Sequence, residues 1–580
     1  MKRVILILGL ILLTFPFGFS EDLRNVYVKA TRMFDEGKYF ESYKLLDDVI
    51  KKEKEVPSQF FVKLMEAVKE GYVLGYILPN QVSNILEEYL SIGRDRRVEN
   101  EKFWVNYLLI ANALYYHSLE EEGCKELLFV NPSNEQGLFI LSKILFYNKD
   151  YVLSSKILEK MLDMGFYYVS PLVLLSRIYT PDLSDVDKLI NALTNYSATS
   201  DVLIYVATIY YLRMEFSKAI KVFDNDMIDL NPELYLKLMI LNGFNKRKIR
   251  DFYILYKAKL DKDFVNFLDL YLKGNSKDLE EFLYDNLYKT SDESFEPLYI
   301  NIGMRSKSKK LKDIAIKKMA YGLFFNKLYD KVISVLEKEK VLSDDMKYLL
   351  SLCYMENKDY KKAISLFDKI NKDDLSVKLK LILAYISMND YAHSSSEASK
   401  IFENVLNSDN DLYKYILSQI FIELGDIEKS ERLIDKISFR DTPYYYLTLG
   451  SIFFYKKEYN KAEKILEEGY TNNRFNQDIM NSLSFVLALQ GKDLLRALKL
   501  SKLSLLFDED NYTYLDTLAY VYYKMGDNHS AKFWIEKSIN LMEKDNKNIK
   551  EIYEHASQIY SSLGDVDKAK YMLTKSRQQE

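Results

Sequence analysis

The chain has 580 residues, too many for one compact core, so it is either several domains or one elongated repeat array. Its 19 glycines and 9 prolines fall well below the usual shares of about 7% and 5%, which disfavours turn-rich all-β, collagen-like and Pro/Gly-rich disordered classes. With 48% hydrophobic and 29% charged residues there is ample core material, and 81 basic against 85 acidic side chains give no global reason to expect nucleic acid.

Residues 1–20 combine a basic start (Lys2, Arg3), an apolar run from Val4 to Phe19 interrupted by Pro16, and small residues Gly18 and Ser20 before Glu21. This predicts a cleaved secretory signal peptide, with an uncleaved membrane anchor as the alternative, because the run is shorter than the roughly 20 residues a spanning helix needs. No cysteine follows the run to carry a lipid. The predicted location is therefore exported, periplasmic or envelope-associated. Residues 21–103 read as helical with one clean hairpin, 104–232 as repeats, 233–316 as degenerate hairpins, and 317–580 as an array of about eight repeats. No Ser/Gly/Pro-rich linker separates these segments, which favours one continuous array.

The repeats show first in small residues twelve apart: Ala30 and Ser42, Ala111 and Gly123, Ser142 and Ser154, Ala207 and Ala219, Ser351 and Ala363, Ser418 and Ser430, Gly450 and Ala462, Ala519 and Ala531, Ser557 and Ala569. Ala384 with Ala398 and Ser484 with Ala497 fit with one or two inserted residues. From Ala320 the first members recur every 31 to 38 residues. Nine residues after the first small one comes an aromatic or aliphatic residue such as Tyr39, Tyr360 or Tyr459; sixteen after comes a large apolar one such as Leu46, Phe367 or Ile535. Seven after lies glycine in five units (Gly37, Gly425, Gly491, Gly526, Gly564), often followed by Asp. Glycine there predicts a left-handed helix end, and the Asp a cap for the next helix. The unit is a helical hairpin whose two helices approach closest where both side chains are small, and whose exposed apolar face requires stacking on neighbours. Two cysteines 229 residues apart, Cys124 and Cys353, are then too distant to meet and are predicted as buried free thiols.

The segment from Tyr512 to Leu541, with Leu515, Leu518, Ala519, Tyr522, Gly526, Ala531 and Ile535 in phase, resembles the tetratricopeptide repeat, in an exported bacterial form. The proline usual after the second helix is mostly absent; Asp409 and Asp508 stand near its place. The resemblance implies an all-α, right-handed α-solenoid of tetratricopeptide-like hairpins with a degenerate middle section. It also implies that the first helix of each hairpin lines a concave groove for a partner protein. Groove positions in the C-terminal array are then Tyr348, Tyr385, Tyr415, Gln419, Tyr444, Phe454, Phe485, Asp516, Tyr520 and Tyr523, with Glu554 beyond them. Basic residues suited to clamping a peptide carboxylate are scarce there.

No enzyme signature is present. The four histidines have no i, i+4 partner, there is no GxSxG or GxGxxG, and both Gly-Lys pairs lack the following Ser or Thr of a phosphate loop. No metal, cofactor or catalytic residue is therefore predicted. His555 beside Glu554 is expected on exposed surface, since helix neighbours point to different faces. The basic run Arg305, Lys307, Lys309, Lys310, Lys312, Lys317 and Lys318 is either a solvated helix face or a contact for anionic lipid, with peripheral membrane association, an acidic partner or a glycan. The function expected is a non-catalytic scaffold that assembles or supports a cell-envelope or secretion complex. The alternative is a glycan-binding solenoid in polysaccharide export or wall maintenance.

Overall fold

The structure is a computed structural model that describes residues 21–179, 199–274, 276–289, 296–370, 374–473, 475–545, 547 and 549–577. Among them every regular element is an α-helix or a three-residue 3-10 turn. Residues 1–20, where a signal peptide is expected, lie outside the described residues, and none of the described helices is long and apolar enough to cross a membrane. Two compact units divide the chain, Met1–Lys149 and Asp150–Glu580.

The hairpin phase predicted from small residues is explained by direct backbone contact. Ser42 Oγ donates to the carbonyl of Ala30 at 2.9 Å, Ser484 Oγ to that of Ala497 at 2.7 Å, and Ser557 Oγ to that of Ala569 at 2.9 Å. Ser418 and Ser430 lie hydroxyl to hydroxyl at 2.7 Å. A larger side chain at these points would force the two backbones apart, so the small residue sets the depth to which one helix sinks into the other. The aromatic or aliphatic residue nine positions on is the first residue of the second helix, as at Tyr39, Tyr360, Ile427 and Tyr459. The large residue sixteen on is buried between hairpins at Leu46, Phe367, Leu466 and Ile535.

Turns follow the same register. Gly425, Gly526 and Gly564 adopt φ of 78°, 83° and 79°, and the following Asp426, Asp527 and Asp565 each accept a hydrogen bond from the backbone amide three residues on. Lys327, Lys358 and Lys457 occupy the same left-handed position without glycine, at φ of 53°, 61° and 61°. The tertiary contact of the hairpin therefore overrides a local preference of about 1 kcal/mol in those units.

Two phases differ from prediction. Left-handed Asn389 lies seven residues after Ile382, and the helix Tyr391–Leu406 begins three before Ser394, so Ile382 and Ser394, both fully buried, hold the closest-contact positions rather than Ala384 and Ala398. Likewise left-handed Tyr115 lies seven after Leu108, and the helix His117–Val130 begins three before Glu120, which displaces the Ala111 and Gly123 pair. Gly123 instead makes room for Tyr107: a Cβ at Gly123 would stand 2.6 Å from the Tyr107 ring.

The middle section is degenerate for an identifiable reason. Gly243 and Gly274 still provide left-handed turns, but seven residues before them stand Leu236 and Phe267, both fully buried. Large side chains hold those helices apart and fill a core that runs from Ala207 to Ala315. One close pair persists unannounced: the helices Pro297–Met304 and Lys309–Phe325 meet where Gly303 faces Ala315, and a Cβ added at Gly303 would stand only 3.0 Å from the Ala315 Cβ. Contacts here also skip neighbours. Lys331 donates to the Arg213 carbonyl at 2.8 Å and to Glu215 at 2.7 Å, so the chain leaves after residue 222 and returns to the same place by residue 331. Burial alone would raise the Glu215 carboxyl, but hydrogen bonds from Lys218 and Lys331 hold it at about 2. Cys124 and Cys353 are buried and free, as expected.

Candidate functional site

The helices Asp411–Glu423, Pro443–Tyr455, Gln477–Gln490, Tyr512–Met525 and Lys550–Ser562 are the first helices of five consecutive hairpins. Their caps fix their starts: Asn410, Thr442, Asn476 and Asn511 each accept from amides of the first turn. With starts and closest-contact points fixed, residues at equal offsets fall on one face.

That face carries two groups of rings in contact. Tyr415 and Tyr444 lie 6.3 Å apart between centroids, Phe454 and Phe485 5.7 Å, Phe485 and Tyr520 5.4 Å, and Tyr520 and Tyr523 5.9 Å. These separations suit edge and offset ring contacts. Gln419 Nε2 donates to Thr448 Oγ1 and ties two neighbouring helices beside the rings. Tyr348 packs instead on Phe367 at 6.0 Å and Tyr385 stacks on His393 at 5.4 Å, each within its own hairpin.

The predicted groove residues differ in access. Tyr444 is 66% exposed, and Gln419 is exposed. Tyr348, Tyr385, Phe454, Phe485 and Tyr523 are partly exposed. Tyr415, Asp516 and Tyr520 are buried, so their side chains are taken up by the hairpins themselves. The Tyr415 hydroxyl donates to the Phe439 carbonyl at 2.9 Å and accepts from Thr442 Oγ1 at 3.2 Å.

His555 is the residue that organises the C-terminal end, and it is not on exposed surface. Its Nδ1 sits 2.9 and 3.0 Å from the two Asp516 oxygens, with both side chains largely withdrawn from solvent. Its ring lies 4.5 Å from Tyr520 and 5.6 Å from Phe485, two hairpins away. Burial pulls the imidazole toward neutrality, but Asp516, with Glu551 and Glu554, outweighs it and holds the group above its ordinary range. The partner of His555 is 39 residues distant rather than its neighbour Glu554. Thr448 and His555 both lie two residues before the small residue of their unit, inside the offsets that pick out the groove; nothing about a lone Thr or His marked them further.

The accessible part of the face is aromatic with an acidic rim. Tyr455 is 51% exposed, and partial burial followed by the charges of Glu551 and Glu423 pushes its hydroxyl up. Glu423, Glu551 and Glu554 have no ion-pair partner among the described residues. Also among the described residues, no group of three His, Cys, Asp or Glu side chains is arranged to hold a metal.

One hairpin of this series, Tyr512–Met525 with Asn528–Lys544, falls within residues 512–545, which match the family model described as tetratricopeptide repeat. This hairpin is a tetratricopeptide repeat. Among the described residues each compact unit is all-α and built of helical hairpins, with a degenerate section inside the second unit. No curated protein matches the sequence. Among solved structures, the chain is similar to the Cut9–Hcn1 hetero-tetramer of the APC/C, at 15% identity over 83% of this chain and 94% of that one, with a TM-score of 0.36. It is similar to a tetratricopeptide repeat protein from Parabacteroides merdae at 11% identity over 45% and 97%, with a TM-score of 0.35. It is also similar to Naa15/Naa10 bound to HypK-THB, at 13% identity over 95% and 99%, with a TM-score of 0.31.

Proposed function

We propose that this protein is an exported, non-catalytic scaffold whose tetratricopeptide face holds a segment of a partner protein to assemble or support a cell-envelope or secretion complex. The observation that carries the binding role is the ring surface this face leaves accessible, exposed Tyr444 and, in a separate group joined through buried Tyr520, partly exposed Phe454, Phe485 and Tyr523, on helices held at fixed spacing. Preformed aromatic surface gives affinity without an ordering cost, and the repeat spacing gives register. Unpaired carboxylates at Glu423, Glu551 and Glu554 favour a segment that carries Lys or Arg among its apolar side chains. The export component rests on the sequence of residues 1–20 alone.

A photo-crosslinking amino acid placed at Tyr444 tests the reading, with the exposed Phe533 on a second helix as control. The proposal expects a discrete protein adduct from position 444 in host envelope extract and none from 533. Equal labelling at both positions, or recovery of carbohydrate alone, would overturn it.

A further inference from the structure

The basic run has a structural setting that its sequence does not reveal: it forms one wall of a cleft. Lys309, Lys312 and Lys317 of the helix Lys309–Phe325 stand across a space of about 840 Å³ from Lys338 and Lys340, in the connection between Tyr329–Leu336 and Asp344–Glu356. That volume lies within the range of about 300–1,000 Å³ common to ligand sites. Lys317 is paired with Asp345 at 2.5 Å. Lys309, Lys312, Lys338 and Lys340 are exposed and have no ion-pair partner among the described residues. The other carboxylates of the cleft, Asp313 and Glu339, leave its lining net positive.

This charge is unfavourable in the unbound chain for two reasons. The first turn of Lys309–Phe325 contains no acidic residue, so its lysines add to the positive end of the helix dipole instead of opposing it. The lysines of the opposite wall repel them in turn. An anion in the cleft relieves both effects. The lining is not purely polar, however. Ile316, Leu336 and Met346 form a buried floor, and Val341, 88% exposed, makes an apolar lip. A small inorganic anion would use the lysines and leave the lip in water. Nucleic acid would want ring faces for its bases, and no aromatic side chain lines the cleft. An extended peptide with carboxylates and aliphatic side chains in alternation uses both features.

We propose that this cleft docks an acidic, aliphatic-rich segment of a partner protein, at a site independent of the aromatic face. The probe is a fluorescein-labelled octapeptide alternating Glu and Leu, titrated with the full chain and followed by anisotropy. An octapeptide alternating Ser and Leu and vesicles containing phosphatidylserine serve as comparisons. The account expects saturable binding of the Glu/Leu peptide that weakens as salt is raised, and at least about a tenfold loss in the triple variant Lys309→Glu, Lys338→Glu, Lys340→Glu. Val341→Asp, at a position too exposed to affect folding, is expected to weaken the same peptide as well. Equal affinity of wild type and triple variant, equal binding of the Ser/Leu peptide, or cosedimentation with vesicles in the absence of Glu/Leu peptide binding would each overturn the proposal. Far-UV circular dichroism of both variants checks that the helices are retained.

Discussion

Replacing Gly469 with alanine sets helix propensity against packing, and the sign of the result decides between them. Gly469 lies in the helix Tyr459–Asn472 and is buried against the helix Pro443–Tyr455. Propensity alone predicts a gain of up to about 1 kcal/mol. A Cβ built there, however, stands 2.7 Å from Tyr446 Cβ and 2.8 Å from its Cγ, where carbon atoms prefer about 3.5–4.0 Å. Tyr446 cannot swing aside: its Cβ is tied to the helix backbone, and its hydroxyl donates to Asp441 at 3.2 Å and accepts from Asn472 at 2.8 Å. The two helices must part, at an overpacking cost of about 1–3 kcal/mol, and the net expectation is about 0.5–2 kcal/mol of local destabilisation. In a solenoid this loss is felt mainly by the affected hairpin and its neighbours, so the assay is amide hydrogen exchange by mass spectrometry. Protection in 443–472 should fall about 2- to 30-fold, with the N-terminal unit unchanged. Unchanged or increased protection in that hairpin would refute the close approach.

Three further outcomes follow from the same geometry. Ala519→Leu places three extra carbons where fully buried Ala519 and Ala531 face each other, and should destabilise the C-terminal hairpins by about 1–3 kcal/mol in urea unfolding; a neutral result would mean the register is wrong. The folded pKa of His555 is raised above its unfolded value of about 6.5, so its contribution is complete below that pH and disappears as pH rises through the folded value. Protection in 550–577, taken relative to the intrinsic exchange rate at each pH, should therefore fall above about pH 6.5, and Asp516→Asn should remove that fall; wild-type protection that does not change with pH would contradict the pairing. Burial pushes the Cys353 thiol up to about 12 and raises Cys124 as well, so neither should react with a thiol reagent at pH 8 until the chain is unfolded.

What could be read from the sequence was whatever the backbone geometry demands directly. Ser418 and Ser430, or Ser484 and Ala497, must be small because their helices touch there, and Gly526 marks a left-handed turn; such constraints leave a residue type at a fixed spacing. The register was misplaced at Ala384 and Ala111 because the true contact positions hold Ile382 and Leu108, which carry no small-residue signal. Leu236 and Phe267 hid the middle hairpins for the same reason, and the Gly303 and Ala315 pair went unseen among them. At the site, equal offsets selected the ring face, but offsets carry no information about access. Tyr415 is engaged by the Phe439 carbonyl and Thr442, in the connection to the next hairpin, and Asp516 and Tyr520 by His555 of the following hairpin. The pairing of His555 with Asp516 depends on the stacking of two hairpins, which no local pattern around Glu554 could express.

The scaffold role is tested most directly by affinity capture of the protein from crosslinked host envelope extract, compared with a Tyr444→Ser, Tyr455→Ser variant. Both rings are more than half exposed, so the variant keeps its fold and loses only surface. The account predicts a defined set of proteins captured by the wild type and lost from the variant. The same set retained by both, or carbohydrate recovered without protein, would contradict it.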